Sequence, residues 1–185
     1  MPTRLHLDLA CHALASGGVV AYPTEAVWGL GCEPLNRHAV QRLLDIKRRP
    51  QLKGLILIGA DFAQLEPYAA RVDRATLEHA FDTWPGPTTW LFPVAPSVPA
   101  WLRGAHDTIA LRVTAHPVAR ALCAEYGGPI VSTSANRAGH PPARSALGVR
   151  RRFGSALDFV LSGDTGGLGR PTPIRHLLTG ALLRT

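Results

Sequence analysis

Cysteine is scarce and unpaired in this sequence. Cys11, Cys32 and Cys123 are an odd count with no paired spacing, which excludes a disulfide frame or a zinc site and leaves buried hydrophobes or free thiols in a reducing compartment. No apolar run approaches the roughly 18 residues of a membrane span, and the N-terminus lacks the basic-then-apolar order of a signal peptide. These absences lead to the expectation of a soluble, cytoplasmic protein without membrane contact. Internal repeats, low-complexity tails and long linkers are absent too. Gly29 and Gly31 lack the third glycine and the following acidic residue of a dinucleotide fingerprint, and the Gly-rich stretch 162–169 lacks the Gly-Lys-Ser/Thr of a phosphate-binding loop. No RRM, KH or double-stranded-RNA-binding motif is readable. Acidic residues are short as well: 13 Asp and Glu face 20 Lys and Arg, for a net charge of +7. That balance favours anionic partners such as nucleotides, phosphates, RNA or acidic proteins.

What is present is ordinary globular material. Hydrophobic residues make up 46% and charged residues 18% of 185 residues, which excludes wholesale disorder and suits one domain with a sizeable core. Helical spacing predicts helices over 5–16, 38–47, one or two within 61–81 capped by Asp61 and Asp73, one from His116-Pro117 through Cys123, and a basic one over 143–153. Strands are expected at 19–22, 55–58, 88–92, 108–113, 129–131 and 157–161, with short strand pieces after Pro171. Residues 23–31 and 96–102 read as loops. In 108–113, alternation puts Ile109, Leu111 and Val113 on the core face and Thr108, Ala110 and Arg112 on the other. Trp84, Trp90 and Trp101 read as core and loop anchors. Alternating strands and helices, with several strands apolar throughout, give an α/β class.

Two stretches carry chemistry. Lys47-Arg48-Arg49-Pro50-Gln51-Leu52-Lys53-Gly54 places four cations between a helix and a strand, with Pro50 barring further helix and pushing Arg49 towards an extended conformation. Such a loop is either a solvated turn or a rigidly held anion site. Ser132-Thr133-Ser134-Ala135-Asn136 follows an apolar strand, so Ser132, Ser134 and Asn136 share a face while the chain stays extended. Hydroxyls and amides at such an edge bind phosphate, ribose or carboxylate in α/β folds, or form a polar turn. Thr24 and Glu25, at the end of another strand with Gly29 and Gly31 close by, form a capped turn or offer a hydroxyl to a small ligand. Arg112 is either a surface cation or a ligand anchor.

Taken together, Ala21-Tyr22-Pro23-Thr24-Glu25, Lys47-x-Arg49-Pro50, Trp84-Pro85-Gly86-Pro87, Leu111-Arg112-Val113, Ser132 to Asn136 and Pro171-Thr172-x-Ile174-Arg175 resemble the YrdC/Sua5 family in its short bacterial form. Each motif alone is weak; six in order are specific. The resemblance implies a single YrdC-like domain over 1–185, a twisted mixed open β-sheet flanked by helices, with a positively charged concave site. It also implies a nucleotidyltransferase that converts L-threonine, bicarbonate and ATP into threonylcarbamoyl-adenylate and pyrophosphate. The product then serves a separate threonylcarbamoyl transferase complex acting on adenosine 37 of tRNAs that read codons beginning with A. By family position, Arg49, Lys53, Thr108, Asn136, Arg144 and Arg184 lie on the nucleotide side, and Thr24, Arg112, Ser134 and Thr172 on the threonine side.

The chemistry suits these residues. Adenylate formation brings a carbamate against the α-phosphate, so two anions must meet while pyrophosphate leaves. Lys47 and Arg49, helped by Lys53, supply positioning and charge neutralisation without a covalent nucleophile. Arg112 offers a planar fork to the amino-acid carboxylate. No carboxylate cluster is evident, so Mg2+ is expected to be carried by the phosphates. Three departures stand out: longer relatives carry a His at Ile58, they carry a linker and a C-terminal domain, and His176 stands where an Asp usually follows. A second expectation, from a different class, is an RNA-binding or ribosome-maturation factor using the same basic face for tRNA or duplex RNA. A carbamoyl-phosphate-using relative is disfavoured, because in that case the domain sits inside a larger zinc-bearing chain.

Overall fold

The computed structural model describes residues 1–184. In chain order its main elements are α1 (Arg4–Ala15), β1 (Val20–Pro23), β2 (Trp28–Gly31), α2 (Arg37–Lys47), β3 (Ile56–Gly59), α3 (Phe62–Leu65), α4 (Arg74–Phe81), β4 (Thr89–Pro93), α5 (Ala100–Arg103), β5 (Thr108–Val113), α6 (Pro117–Tyr126), β6 (Ile130–Ser134), α7 (Ala146–Phe153), β7 (Phe159–Val160), β8 (Ile174–His176) and β9 (Leu182–Arg184). Helix starts follow local capping chemistry. Thr3, Asn36, Asp61, Asp73 and Ser145 each accept a backbone N–H in the first turn of the helix they precede, satisfying one of the donors a helix start leaves open. α2 stops before Pro50: Arg48 takes the left-handed conformation at φ 53°, and the Arg48 and Arg49 amides return to the Asp45 and Leu44 carbonyls.

The strands form one open sheet in the order β7-β1-β2-β6-β3-β5-β4-β8-β9. It is mixed: β1/β7, β3/β5 and β4/β8 run parallel, and the remaining neighbours antiparallel. One face carries the larger apolar cluster, where Leu30, Leu57, Ile109, Leu111 and Val131 meet Leu43, Leu65, Leu102 and Phe153 from the helices. The expected alternation in β5 holds, with Ile109, Leu111 and Val113 on this side. On the other face, among the described residues, the helical cover lies at one end, where α1 and α6 lay Leu14, Val118 and Leu122 on Val20, Tyr22, Ile58 and Ile130.

Register shows where that cover stops. Ile58 pairs with Arg112 and Ile130, whereas two residues earlier Ile56 pairs with Ala110 and Ser132. Residues two apart share a face. Ile56, Ala110 and Ser132 therefore continue the same face beyond the helices, and Arg112 sits at the boundary. Ile58 itself is fully buried under the helices.

Several local expectations are corrected. Residues 28–31 are a strand, and its glycines serve contact with Tyr22 rather than flexibility. A Cβ on Gly31 would lie 2.3 Å from the Val131 carbonyl and 2.9 Å from the Tyr22 ring, whose hydroxyl donates to that carbonyl at 3.2 Å. A short helix, α5, interrupts the loop expected at 96–102, and α6 continues to Tyr126. α7 starts only at Ala146, so Arg144 precedes the basic helix. β7 keeps two of the five residues expected at 157–161. The tryptophans are anchors: Trp84 stacks on Phe92, and the indole N–H groups of Trp90 and Trp101 donate to Thr83 and to the Pro34 carbonyl.

Candidate active site

The uncovered part of the sheet floors two adjoining cavities. The first, about 230 Å³, is lined among others by Thr24, Arg112, Ser134, Thr172, Arg49 and Arg184. The second, about 240 Å³, is lined by Lys53, Thr108, Leu91, Leu183 and again Arg49 and Arg184. All four residues placed on the threonine side by resemblance thus share one cavity. Four of the six on the nucleotide side line the other, and Arg49 and Arg184 stand in both. Asn136 and Arg144 line neither. Asn136 is half-buried beside the Ser134 hydroxyl, and exposed Arg144 donates to the Gly169 carbonyl at 3.1 Å.

Arg49 is half-buried, with Nη2 donating to the Gly54 carbonyl at 3.0 Å, while its buried Nε has no partner. Burial holds its pKa below the ordinary arginine value, which leaves the guanidinium charged. Arg184 is exposed and donates to the Thr172 carbonyl at 3.1 Å. That bond ties β9 to the cavity wall.

Lys47 faces neither cavity. Buried to 3% exposure, its ammonium donates to the Ser134 carbonyl, to the Asn136 carbonyl at 2.9 Å and to Asn136 Oδ1 at 3.4 Å. The Lys47 carbonyl in turn accepts from Ala138 N at 2.9 Å. Burial first, and Arg49 second, pull its pKa down to about 7. The Ser134 hydroxyl closes the knot by donating to Asn136 Oδ1 at 2.6 Å. The strand ends at Ser134, so Asn136 leaves the extended alternation that would have kept it on the Ser132 and Ser134 face.

Arg112 is buried to 4% exposure. Its Nη1 donates to Thr172 Oγ1 at 3.1 Å, and its Nη2 lies 3.4 Å from Glu25 Oε2. Glu25 is a site residue that sequence reasoning left unassigned. Its Oε1 accepts from Thr114 Oγ1 at 2.7 Å and from Ala115 N at 3.3 Å. Burial alone would raise its pKa; Arg112 and Thr114 outweigh this and hold it below the ordinary carboxylate value. The Gly-rich stretch closes over it, with Gly166 N and Leu168 N donating to the Thr24 and Glu25 carbonyls, each at 3.0 Å. His116 Nε2, 3.0 Å from the Asp164 carbonyl, pins the same stretch.

A mixed open sheet with arginines and hydroxyls lining the cleft over one face defines the chain as an α/β protein of the open-sheet class. The chain belongs to the Sua5/YciO/YrdC family, whose model, described as telomere recombination, matches residues 12–185. A Coxiella burnetii protein named threonylcarbamoyl-AMP synthase is 51% identical over 175 residues, covering 95% of this chain and 94% of its own. A Xanthomonas campestris protein of the same name is 50% identical over 186 residues, covering all of both chains. The crystal structure of P. abyssi Sua5 complexed with L-threonine matches with a TM-score of 0.90 and 34% identity, over 96% of this chain and 53% of that one. The chain thus spans about half the length of that Sua5.

Proposed function

We propose that this chain, working as one domain over residues 1–185, makes threonylcarbamoyl-AMP and pyrophosphate from L-threonine, bicarbonate and ATP. The observation that carries the reading is the pairing of about 50% identity over the full length of proteins named for this activity with a two-part cleft sharing Arg49 and Arg184. Threonine occupies the first cavity, its carboxylate on Arg112 and its polar groups among Thr24, Ser134 and Thr172. ATP occupies the second, with phosphates on Arg49, Lys53 and Arg184 and its nucleoside towards Thr108; Asn136 and Arg144, expected on the nucleotide side, lie outside both cavities, Asn136 beside Ser134 of the first. Carbamate and α-phosphate meet between the cavities, where Arg49 neutralises charge that builds as pyrophosphate leaves; such preorganised donors act without reorganising during the reaction.

Lys47 acts in this reading by holding the Ser134–Asn136 segment. Among the described residues no group of His, Cys, Asp and Glu clusters to hold a metal, and Glu25 is committed to Arg112 and Thr114. Magnesium enters in this reading with ATP as part of the substrate, on its phosphates. The product passes to a threonylcarbamoyl transferase complex acting on adenosine 37 of tRNA in the cytoplasm. Exposed Arg150, Arg151 and Arg152 on α7 offer tRNA a phosphate contact, which would weaken steeply with salt. No helix is long and apolar enough to cross a membrane among the described residues. The test is mass spectrometry of the reaction mixture. Isotope-labelled bicarbonate should appear in an adduct of threonine and AMP, and its absence from a folded preparation would contradict the proposal.

A further inference from the structure

Two kinds of cation line this cleft. Arg112 has a carboxylate beside it, Glu25 Oε2 at 3.4 Å from its Nη2. Arg49 and Arg184 have no acidic group within ion-pair distance among the described residues. Glu25 does not line the cavity itself; it is buried to 7% exposure and fixed by Thr114, Ala115 N and the backbone of the Gly-rich stretch. A buried carboxylate so close to an anion-receiving arginine needs a reason, since it works against anion affinity at that arginine.

We infer that Glu25 is a positioning and discriminating residue: it fixes the Arg112 guanidinium and, by balancing its charge, reserves the first cavity for an amino-acid zwitterion while excluding polyphosphate. A zwitterion brings one negative and one positive group and so suits a balanced Arg–Glu pair. A polyphosphate brings several negative charges and meets the Glu25 carboxylate beside the arginine, whereas Arg49 and Arg184 present charge with no such opposition among the described residues. The Glu25 carboxyl is held ionised at neutral pH by Arg112 and Thr114, so the discrimination operates where the protein works. Without it, a cleft whose two halves share Arg49 and Arg184 would let triphosphate or product pyrophosphate slide into the amino-acid half.

This inference rests on the proposed function, and the test separates the two. Binding of labelled L-threonine to the full chain is measured by equilibrium dialysis, with and without saturating pyrophosphate. In the native protein pyrophosphate should change the threonine Kd less than about twofold; in Glu25→Gln it should raise the apparent Kd about tenfold or more. Glu25→Asp, which keeps the charge on a shorter arm, should stay insensitive to pyrophosphate whatever its threonine affinity, an outcome that loss of structural support alone does not give. Displacement of threonine from the native protein by pyrophosphate, or a folded Glu25→Gln as insensitive as the native protein, would overturn the inference alone. The native measurement decides even where Glu25→Gln does not fold. No threonine binding by the native protein would overturn the proposed function, and this inference with it.

Discussion

Arg49 and Lys47 lie two positions apart, yet the turn at Arg48 sends their charges to opposite tasks. Arg49 reaches both cavities. Arg49→Ala is expected to lower kcat/KM for threonine-dependent pyrophosphate release on the order of 10²–10³, the scale for removing one preorganised charge-stabilising donor, with little change in melting temperature because the side chain is only half-buried. Lys47 is instead a buried ammonium among carbonyls. In the unfolded chain a lysine keeps its proton up to its ordinary value of 10.5, whereas the native group releases it from about 7. Between those limits the unfolded state binds more protons, so this group makes folding more favourable as pH rises from about 7 towards 10 and contributes no slope below 7. Thermal melts should therefore show native protein gaining on Lys47→Met between pH 7 and 9. Parallel melting curves across that range would contradict the assignment of the low pKa to Lys47.

At the scale of elements, close contact rather than propensity settles the β1–β2 region. Gly31→Ala drives a methyl into the Val131 carbonyl, a backbone atom that cannot step aside, and into the Tyr22 ring. It should cost roughly 3 kcal/mol or more. Gly127→Ala, at the left-handed end of α6 with nothing within 4 Å of the new Cβ, should cost about 1 kcal/mol. Denaturant unfolding of both variants measures the difference, and equal costs would contradict the packing account. The same region marks where sequence reasoning ran out. Helices were legible where capping residues and apolar spacing mark them locally, as at Asp61 and Asp73, whereas the four-residue α5 is too short to show a period. Trp28-Gly29-Leu30-Gly31 carries two glycines in four residues, which reads as a loop; its identity as a strand depends on Tyr22 and Val131, which no local pattern displays. The cavity hydroxyls and cations were legible from motif and resemblance. The Glu25 partnership was not, since Thr114, which holds it, lies 89 residues away and the pairing exists only once β1 and β5 share a sheet.

For the molecule as a whole, function follows from incomplete cover. α1 and α6 bury one end of a sheet face and leave the rest as the floor of a cleft, with Arg112 at the border and Arg49 and Arg184 between its halves. The direct measurement of this account is pyrophosphate release from ATP by the purified protein, with threonine and bicarbonate each omitted in turn. Release that requires both, and that falls away in Arg49→Ala and Arg112→Ala while the variants stay folded, is the predicted result. Release that persists without threonine, or none at all from folded native protein, would contradict the central claim that the two cavities hold the two halves of one adenylate-forming reaction.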